Sequence, residues 1–418
     1  MELKEYKLGD IAEISTGYPF DGNLYAKEGI RVLRGENIGD GILKWDDRID
    51  KRWNAPFSKS DVYTLCDGDI VMQMDGNVGR NKSRVFAHDL PMLIAQRVGC
   101  IRAKKEIADQ DFLYYVICSE RYLRYINKVK TGTSIHHISL SQISNYTLSI
   151  PPLITQKRIA DVLSSFDKQI ALNKQINQNL EALARQLYDY WFVQFDFPDA
   201  NGKPYKSSGG KMVYNPILKR EIPEGWHCGN LYEIATFTNG LACQKYRPES
   251  NEESLRVIKI REMHEGFSKD TEFVTSNIPE AVKVYNGDVL FSWSASLEVM
   301  LWAKGEGGLN QHIFKVTARN DFPRSFYYYQ LLNYVSLFKL MAEARKTTMG
   351  HITQDHLEQS RIAIPDSKEI TYQLEGKLAP IFDAIINNES EITSLIKQRD
   401  ELLPLLMNGQ VNFDLSDD

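Results

Sequence analysis

The sequence is short of several things, and each shortage removes a class of function. It has five cysteines in 418 residues, Cys66, Cys100, Cys118, Cys228 and Cys243, and no two form a C-x-x-C pair. An odd, scattered set supports neither a disulfide framework nor a zinc site. Reduced, mostly buried thiols are expected instead. No apolar run approaches the roughly 18 residues that a membrane span needs. The opening MELKEYKLGD lacks the basic-then-apolar pattern of an export signal. A cytoplasmic location with no membrane partner is therefore expected. Excess positive charge is missing too, since the formal net charge is −5. A chain gripping nucleic acid through phosphates alone is usually basic. Binding to DNA would need local basic patches, or a partner that supplies much of the electrostatic grip.

Catalytic motifs are absent as well. There is no N-P-P-Y or D-P-P-Y loop of the kind that holds a flipped base for methylation. Pro151-Pro152 stands in Ser-Ile-Pro-Pro-Leu, where it breaks structure before a helix. The segment Asp75-Gly76-Asn77-Val78-Gly79-Arg80 lacks the third glycine and the context of a dinucleotide fold. No G-x-x-x-x-G-K-[ST] loop is present, which excludes a nucleotide-driven motor. No metal-nuclease pattern stands out. His88, His227, His264 and His356 are isolated and fit structural or solvent-facing roles. No catalytic residue, metal or cofactor is expected on this chain. What remains is ordinary globular composition, 43% hydrophobic and 25% charged, in a chain long enough for two to four domains.

What is present is written twice. Leu8-Gly9-Asp10-Ile11, Glu13-Ile14 and Gly17 are echoed by Cys228-Gly229-Asn230-Leu231, Glu233-Ile234 and Gly240. Arg31-Val32-Leu33 returns as Arg256-Val257-Ile258, and Gly68-Asp69-Ile70-Val71-Met72 as Gly287-Asp288-Val289-Leu290-Phe291. Ile94-Ala95-Gln96-Arg97 matches Leu309-Asn310-Gln311-His312, and Phe112-Leu113-Tyr114-Tyr115 matches Phe326-Tyr327-Tyr328-Tyr329. His137-Ile138 matches His351-Ile352, and Ile150-Pro151 matches Ile364-Pro365. Any one match is weak, but this many in collinear order mark an internal duplication.

Each half splits again. Short β-branched or aromatic runs after Gly-Asp turns predict strands, and three- and four-residue apolar steps predict helices over 111–127 and 325–344. After residue 150 the pattern changes to 4-3 spacing: Ile159, Leu163, Phe166, Ile170, Asn173, Asn177, Leu180, Ala184, Leu187 and Trp191. A second seam runs through Leu378, Phe382, Ile385, Glu389, Ile392, Ile396, Arg399, Leu403 and Leu406. Such seams belong to coiled coils, and about 40 residues at about 1.5 Å each span roughly 60 Å. Pro380 and Pro404 should start, kink or fray the second helix. The polar seam residues Asn173, Asn177, Glu389 and Arg399 either face water at helix ends or fix antiparallel register. Residues 196–222, rich in Gly, Ser, Pro and Lys, read as a connector across a surface. The expected α+β architecture is thus a mixed α/β domain over 1–150, a long helix over 151–195, a connector over 196–222, a second domain over 223–367, a second helix over 368–410 and a tail over 411–418.

Several segments are similar to the specificity subunit of type I restriction–modification systems. They are the stretch from Phe20 to Met72, Trp191-Phe192-Val193-Gln194-Phe195-Asp196-Phe197, Gly202-Lys203-Pro204-Tyr205, Lys219-Arg220-Glu221-Ile222-Pro223-Glu224-Gly225-Trp226 and Leu309-Asn310-Gln311-His312-Ile313-Phe314-Lys315-Val316. The resemblance spans essentially the whole chain. It implies two target recognition domains that read the halves of a split, asymmetric site on double-stranded DNA, with two antiparallel helices as the ruler between them. It further implies that the helices dock two methylation subunits carrying S-adenosylmethionine. Restriction and translocase subunits, with their ATP and Mg, would join that core. The chain itself would be non-catalytic. A DNA-reading or scaffold subunit of another modification or phage-defence complex is the competing interpretation.

The duplication also suggests which residues read bases. Two readers with different half-sites should share scaffold and phosphate contacts and differ at base contacts. The shared Gln96/Gln311 and His137/His351 then fit structural or phosphate-positioning roles, with direct readout as the alternative. The Gly-Asp pairs are turn chemistry. Gln73, Asp75 and Asn77 in the first half stand against Ser292, Trp293 and Ser294 in the second, and Arg97 against His312. Gln and Asn suit adenine, and Arg suits guanine. A second cluster is the loop Lys130, Thr131, Thr133, His136 and His137, with Arg345, Lys346, Thr347, Thr348 and His351 as its counterpart. Basic and hydroxyl residues after a helix suit phosphate and base contacts, or simply a solvated loop. Arg80 and Lys82 lie in a basic stretch that reads equally as a hairpin tip.

Overall fold

Duplicated sequence becomes duplicated sheets. The computed structural model describes residues 3–294, 297–344, 354–408 and 410. The chain divides into two units, Met1–Lys168 with Ile396–Asp418, and Gln169–Leu395.

In unit one a four-stranded sheet runs in the order Ala12–Thr16, Val98–Ala103, Ile70–Gln73, Lys82–Arg84, antiparallel throughout. Beside it lies a three-stranded sheet in which Ile30–Leu33 pairs in parallel with Met92–Ile94. A third pair, Lys4–Lys7 with Thr147–Ile150, closes the domain at its ends. Unit two repeats this plan. Its main sheet runs Ala235–Asn239, Ile313–Ala318, Val289–Ser292, Glu298–Leu301. Ser254–Ile258 pairs in parallel with Gly307–Leu309, and Trp226–Gly229 pairs with Ile362–Pro365. The short strands are buried on both faces, as at Ile70, Val71, Met72 and Val289, Leu290, Phe291, which explains their continuous apolar runs.

The Gly-Asp turns do what their composition implies: Gly68 and Gly287 take φ +86° and +95°. The following aspartates are held by cations. Asp69 accepts from Nε and Nη2 of Arg102, each at 2.7 Å, and Asp288 lies 2.8 Å from Lys315 Nζ.

The helices fall where the sequence places them, with one of them split in two. The run over 111–127 is two helices, Gln110–Cys118 and Glu120–Val129, because Ser119 adopts extended ψ and caps the second with its hydroxyl. Its counterpart Arg324–Ala344 is continuous. The second long helix, Glu369–Met407, begins eleven residues before Pro380 and runs through it and Pro404. Leu374, Leu378 and Phe382 bury one face, while Gly376, whose carbonyl Pro380 leaves without its partner, is exposed to water. Residues 196–222 hold more order than a plain connector. Met212–Asn215 and Arg220–Pro223 form a hairpin, and Phe197 stacks between Tyr205 and Trp226 at 4.8 and 5.7 Å.

The first long helix, Leu153–Tyr188, is followed by a π-turn over Asp189–Val193. Three of the polar seam residues, Asn177, Glu389 and Arg399, face other polar groups, whereas the Asn173 amide nitrogen is buried without a hydrogen-bond partner. In unit one Arg399 donates to Asp167 at 2.7 Å, and Tyr115 donates to the other oxygen of Asp167 at 2.6 Å. In unit two Asn177 is buried; it donates to Glu389 at 3.0 Å and accepts from Asn388 at 2.9 Å.

His227, solitary in sequence, bridges elements of unit two. It contacts Asp366 at 2.6 Å through Nδ1 and Glu233 at 3.3 Å through Nε2. Burial disfavours the imidazolium, but the hydrogen bonds to Asp366 and Glu233 outweigh it and raise the pKa. A raised folded-state pKa stabilises below the unfolded value of about 6.5 and is lost as pH rises through the folded one. His227→Gln should therefore be more destabilising at about pH 6 than at about pH 9, as read from denaturation midpoints. Equal losses at both would remove the ionic contribution.

Candidate nucleic-acid interface

In unit one the residues predicted as two clusters form a single site. The strand Ile70–Gln73 leaves the main sheet and its continuation meets the loop that follows Glu120–Val129. Gly76 N–H donates to His136 O at 2.8 Å, and Ile138 N–H to Met74 O at 3.0 Å. Thr131 and His137 pair back to back through both backbone bonds, at 3.0 and 2.8 Å. Asp75 stands at the junction. His137 donates from Nδ1 to its Oδ1 at 2.6 Å, and the Arg97 guanidinium approaches the same oxygen at 3.5 Å. Around this junction Arg97, Asn77, Arg80, Thr131 and Thr133 are exposed, and Lys130, His136 and His137 are half-buried.

Gln73 sits at the floor of the site. Its Oε1 accepts from Asn81 at 2.8 Å. Gln96 is exposed, and its backbone N–H is fixed to Tyr18 O at 2.9 Å. Tyr18 belongs to a half-buried ring cluster with Phe20, Phe57 and Tyr63, and Lys59 lies 5.8 Å from its ring. Lys82 is placed differently from its neighbours: it is buried, with Nζ donating to the carbonyls of Gly79 at 3.0 Å and Arg80 at 3.4 Å. Its charge holds the turn.

Unit two builds the same frame with other chemistry. Gln311 N–H is fixed to Leu241 O at 2.8 Å, as Gln96 is to Tyr18. Trp293 N–H donates to His312 O at 3.3 Å, as Met74 does to Arg97 at 3.0 Å. Trp293 aligns structurally with Met74, so the second half sets a large ring where the first sets a thioether. Its Nε1 donates to Asn239 at 3.1 Å and its ring leans on His312 at 5.6 Å. Gln311 and His312 touch at 3.4 Å. Ser292 and Ser294 are buried, and the Ser292 hydroxyl donates to Ser294 O. Arg345, Lys346, Thr347, Thr348 and His351 lie outside the described residues.

Asn239 is the residue of this surface that the sequence reading does not reach. Asp75 is read there as a differing position, but its place at the junction follows only from the return of the loop 130–137. Asn239 precedes Gly240 as Thr16 precedes Gly17, so the same comparison of halves would have found it. Among the described residues no group of three or more His, Cys, Asp or Glu could hold a metal, and no helix is long and apolar enough to cross a membrane.

A family model described as the type I restriction modification DNA specificity domain matches residues 1–182 and 223–401. The chain belongs to this family. The specificity subunit of the type I restriction enzyme MjaIX from Methanocaldococcus jannaschii is 25% identical across 73% of this chain and 69% of its own length. The HindI specificity subunit of Haemophilus influenzae is 23% identical and matches 98% of this chain and all of the relative. The crystal structure of a type I restriction–modification S subunit from M. genitalium superposes with a TM-score of 0.58, at 14% identity, over 97% of this chain and 96% of that one. That likeness shows the shared fold. Membership in a specificity family implies DNA sequence recognition, and the family model matches a segment in each repeat.

Proposed function

We propose that this chain chooses the target of a type I restriction–modification complex in the cytoplasm, each unit reading one half of a split, asymmetric site in the major groove. The observation that carries this reading is the pair of equivalent frames with different side chains. Arg97 and His312 stand at the matching place, flanked by Asp75 and His137 in one frame and by Trp293 and Asn239 in the other. A scaffold without a reading role would not need polar groups at matching places. In unit one the exposed set Asn77, Arg80, Gln96, Arg97, Thr131 and Thr133, with Gln73, Lys130, His136 and His137, supplies base and phosphate contacts. In unit two Gln311, His312 and Trp293 do so, joined by Arg345, Lys346, Thr347, Thr348 and His351. Lys82, Ser292 and Ser294 support these loops from beneath.

The long helices serve as an antiparallel coiled-coil ruler. Asp167 meets Arg399, and Asn177 meets Glu389. Ten residues forward on the first helix thus correspond to ten backward on the second, the register of an antiparallel pair. The first helix also exposes Leu172 and Leu183, at 56% and 52%, and Ile176, an apolar face suited to two methylation subunits. S-adenosylmethionine, ATP and Mg belong to the partner enzymes, which methylate, translocate and cut.

Co-expression with the methylation subunit, followed by methylation-sensitive sequencing of host DNA, tests the reading. A split adenine-methylation motif that disappears on deletion of this chain is the expected result. Unchanged methylation, with the complex assembled, would favour the adaptor or alternative-complex reading. Lys130→Ala should weaken binding to all sequences alike and flatten the slope of log K against log salt by about 0.9. Affinities unchanged at several salt concentrations would remove Lys130 from the phosphate contacts.

A further inference from the structure

We propose that unit one reads a guanine through Arg97, and that Asp75 is the positioning residue that aims it. The inference rests on the DNA-reading function proposed above and names one of its determinants. Arg97 has φ +67°, the left-handed region that a residue with a Cβ enters at a cost. The frame does not demand it. His312 occupies the equivalent place and its carbonyl takes the equivalent bond from Trp293, yet it is not among the positive-φ residues. A strained conformation found in one half and not in the other points to a task for that side chain.

The left-handed turn brings the guanidinium beside Asp75, 3.5 Å from Oδ1, and leaves the arginine side chain 63% exposed. Asp75 is itself braced by His137, whose Nδ1–H donates to the same oxygen. The carboxylate lies between two basic side chains at the point where the two loops meet. An arginine backed by a fixed carboxylate loses less freedom on binding, because its planar fork is already oriented. Such a fork matches the two acceptors O6 and N7 on the guanine edge. Adenine offers the N6 donor where guanine has O6, so the same fork opposes it. Arginine over glycine at this backbone therefore trades stability for discrimination.

The test uses the full chain assembled with its methylation subunits and duplexes carrying each single-base change in the half-site of unit one. Wild type should prefer one G·C pair over its replacements by about 10- to 100-fold. Arg97→Gly should abolish that preference, leave the other positions and the other half-site intact, and keep or raise the melting temperature. Arg97→Lys, which retains charge but not the fork, should lose the same preference. Asp75→Asn should weaken it at that position while the arginine remains. If Arg97→Gly keeps every preference, or loses all of them together with a lowered melting temperature, the assignment is overturned. If wild type itself shows no sequence preference, the function proposed above fails and this inference fails with it.

Discussion

Truncation of Phe382 to alanine is expected to destabilise the second unit by about 3–5 kcal/mol, the usual cost of emptying a buried aromatic site. Phe382 is 1% exposed and lies on the inner face of the second long helix. It meets Tyr328 edge-on at 5.8 Å and Tyr329 at 6.1 Å, and the Arg324 guanidinium covers its ring at 5.2 Å. These three come from the helix Arg324–Ala344, so the ring joins the reader to the long helix. Collapse cannot refill the space, because Tyr329 is itself stacked on Tyr188 at 4.9 Å. Hydrogen exchange of amides in 324–340 gives the local measurement that a two-unit chain requires. A loss below about 1 kcal/mol would show that the face is not closed as described. In the first half Tyr115, the counterpart of Tyr329, meets Asp167 instead, which also holds Arg399. Asp167→Ala should cost only about 1 kcal/mol, since both charged groups are about a third exposed and screened by water. One junction is sealed by stacked rings and the other by an ionic cluster.

Alanine at Gly17 should be among the most damaging single-methyl changes in the first unit. A Cβ there would lie 2.0 Å from the Ile94 carbonyl oxygen, and at Gly240 it would lie 2.2 Å from that of Asn310. The obstruction is backbone, so no rotamer change relieves it. The chain must part where Tyr18 pairs with Ala95, or Leu241 with Asn310. A cost of about 3 kcal/mol is expected, at the upper end for added core volume. The functional consequence is sharper, because Gln96 and Arg97, or Gln311 and His312, follow directly on those pairings. Gly17→Ala should abolish discrimination in one half-site and spare the other, and Gly240→Ala should do the reverse. Binding to duplexes altered in one half at a time reads this directly. Equal loss in both halves from either variant would show that the two readers do not act separately.

Much of this organisation was legible in the chain. The collinear echoes marked two copies of one fold, and the structure returns the same strand order in the main sheet of each, while the second sheet has three strands in unit one and four in unit two. The seams announced both long helices, because 3.6-residue periodicity survives in any helix with one buried face. The second helix extends past Pro380 because packing of Leu374, Leu378 and Phe382 outweighs a lost bond on the wet side. The order in 196–222 was missed because its anchors, Phe197, Tyr205 and Trp226, are spread along the chain and have no period.

Sequence alone determined the duplication, the lack of a recognisable catalytic motif and the family, since each rests on residue identity and order. It also placed Arg97 and His137 among the candidates. Only the tertiary structure decided that Asp75 gathers them, that Lys82, Ser292 and Ser294 lie beneath the surface, and that Asn239 holds Trp293. The reason is physical. Repeats and periodicity are local in the chain, whereas a recognition surface is made where loops about sixty residues apart return to one strand edge, and exposure is settled only by what packs beneath them.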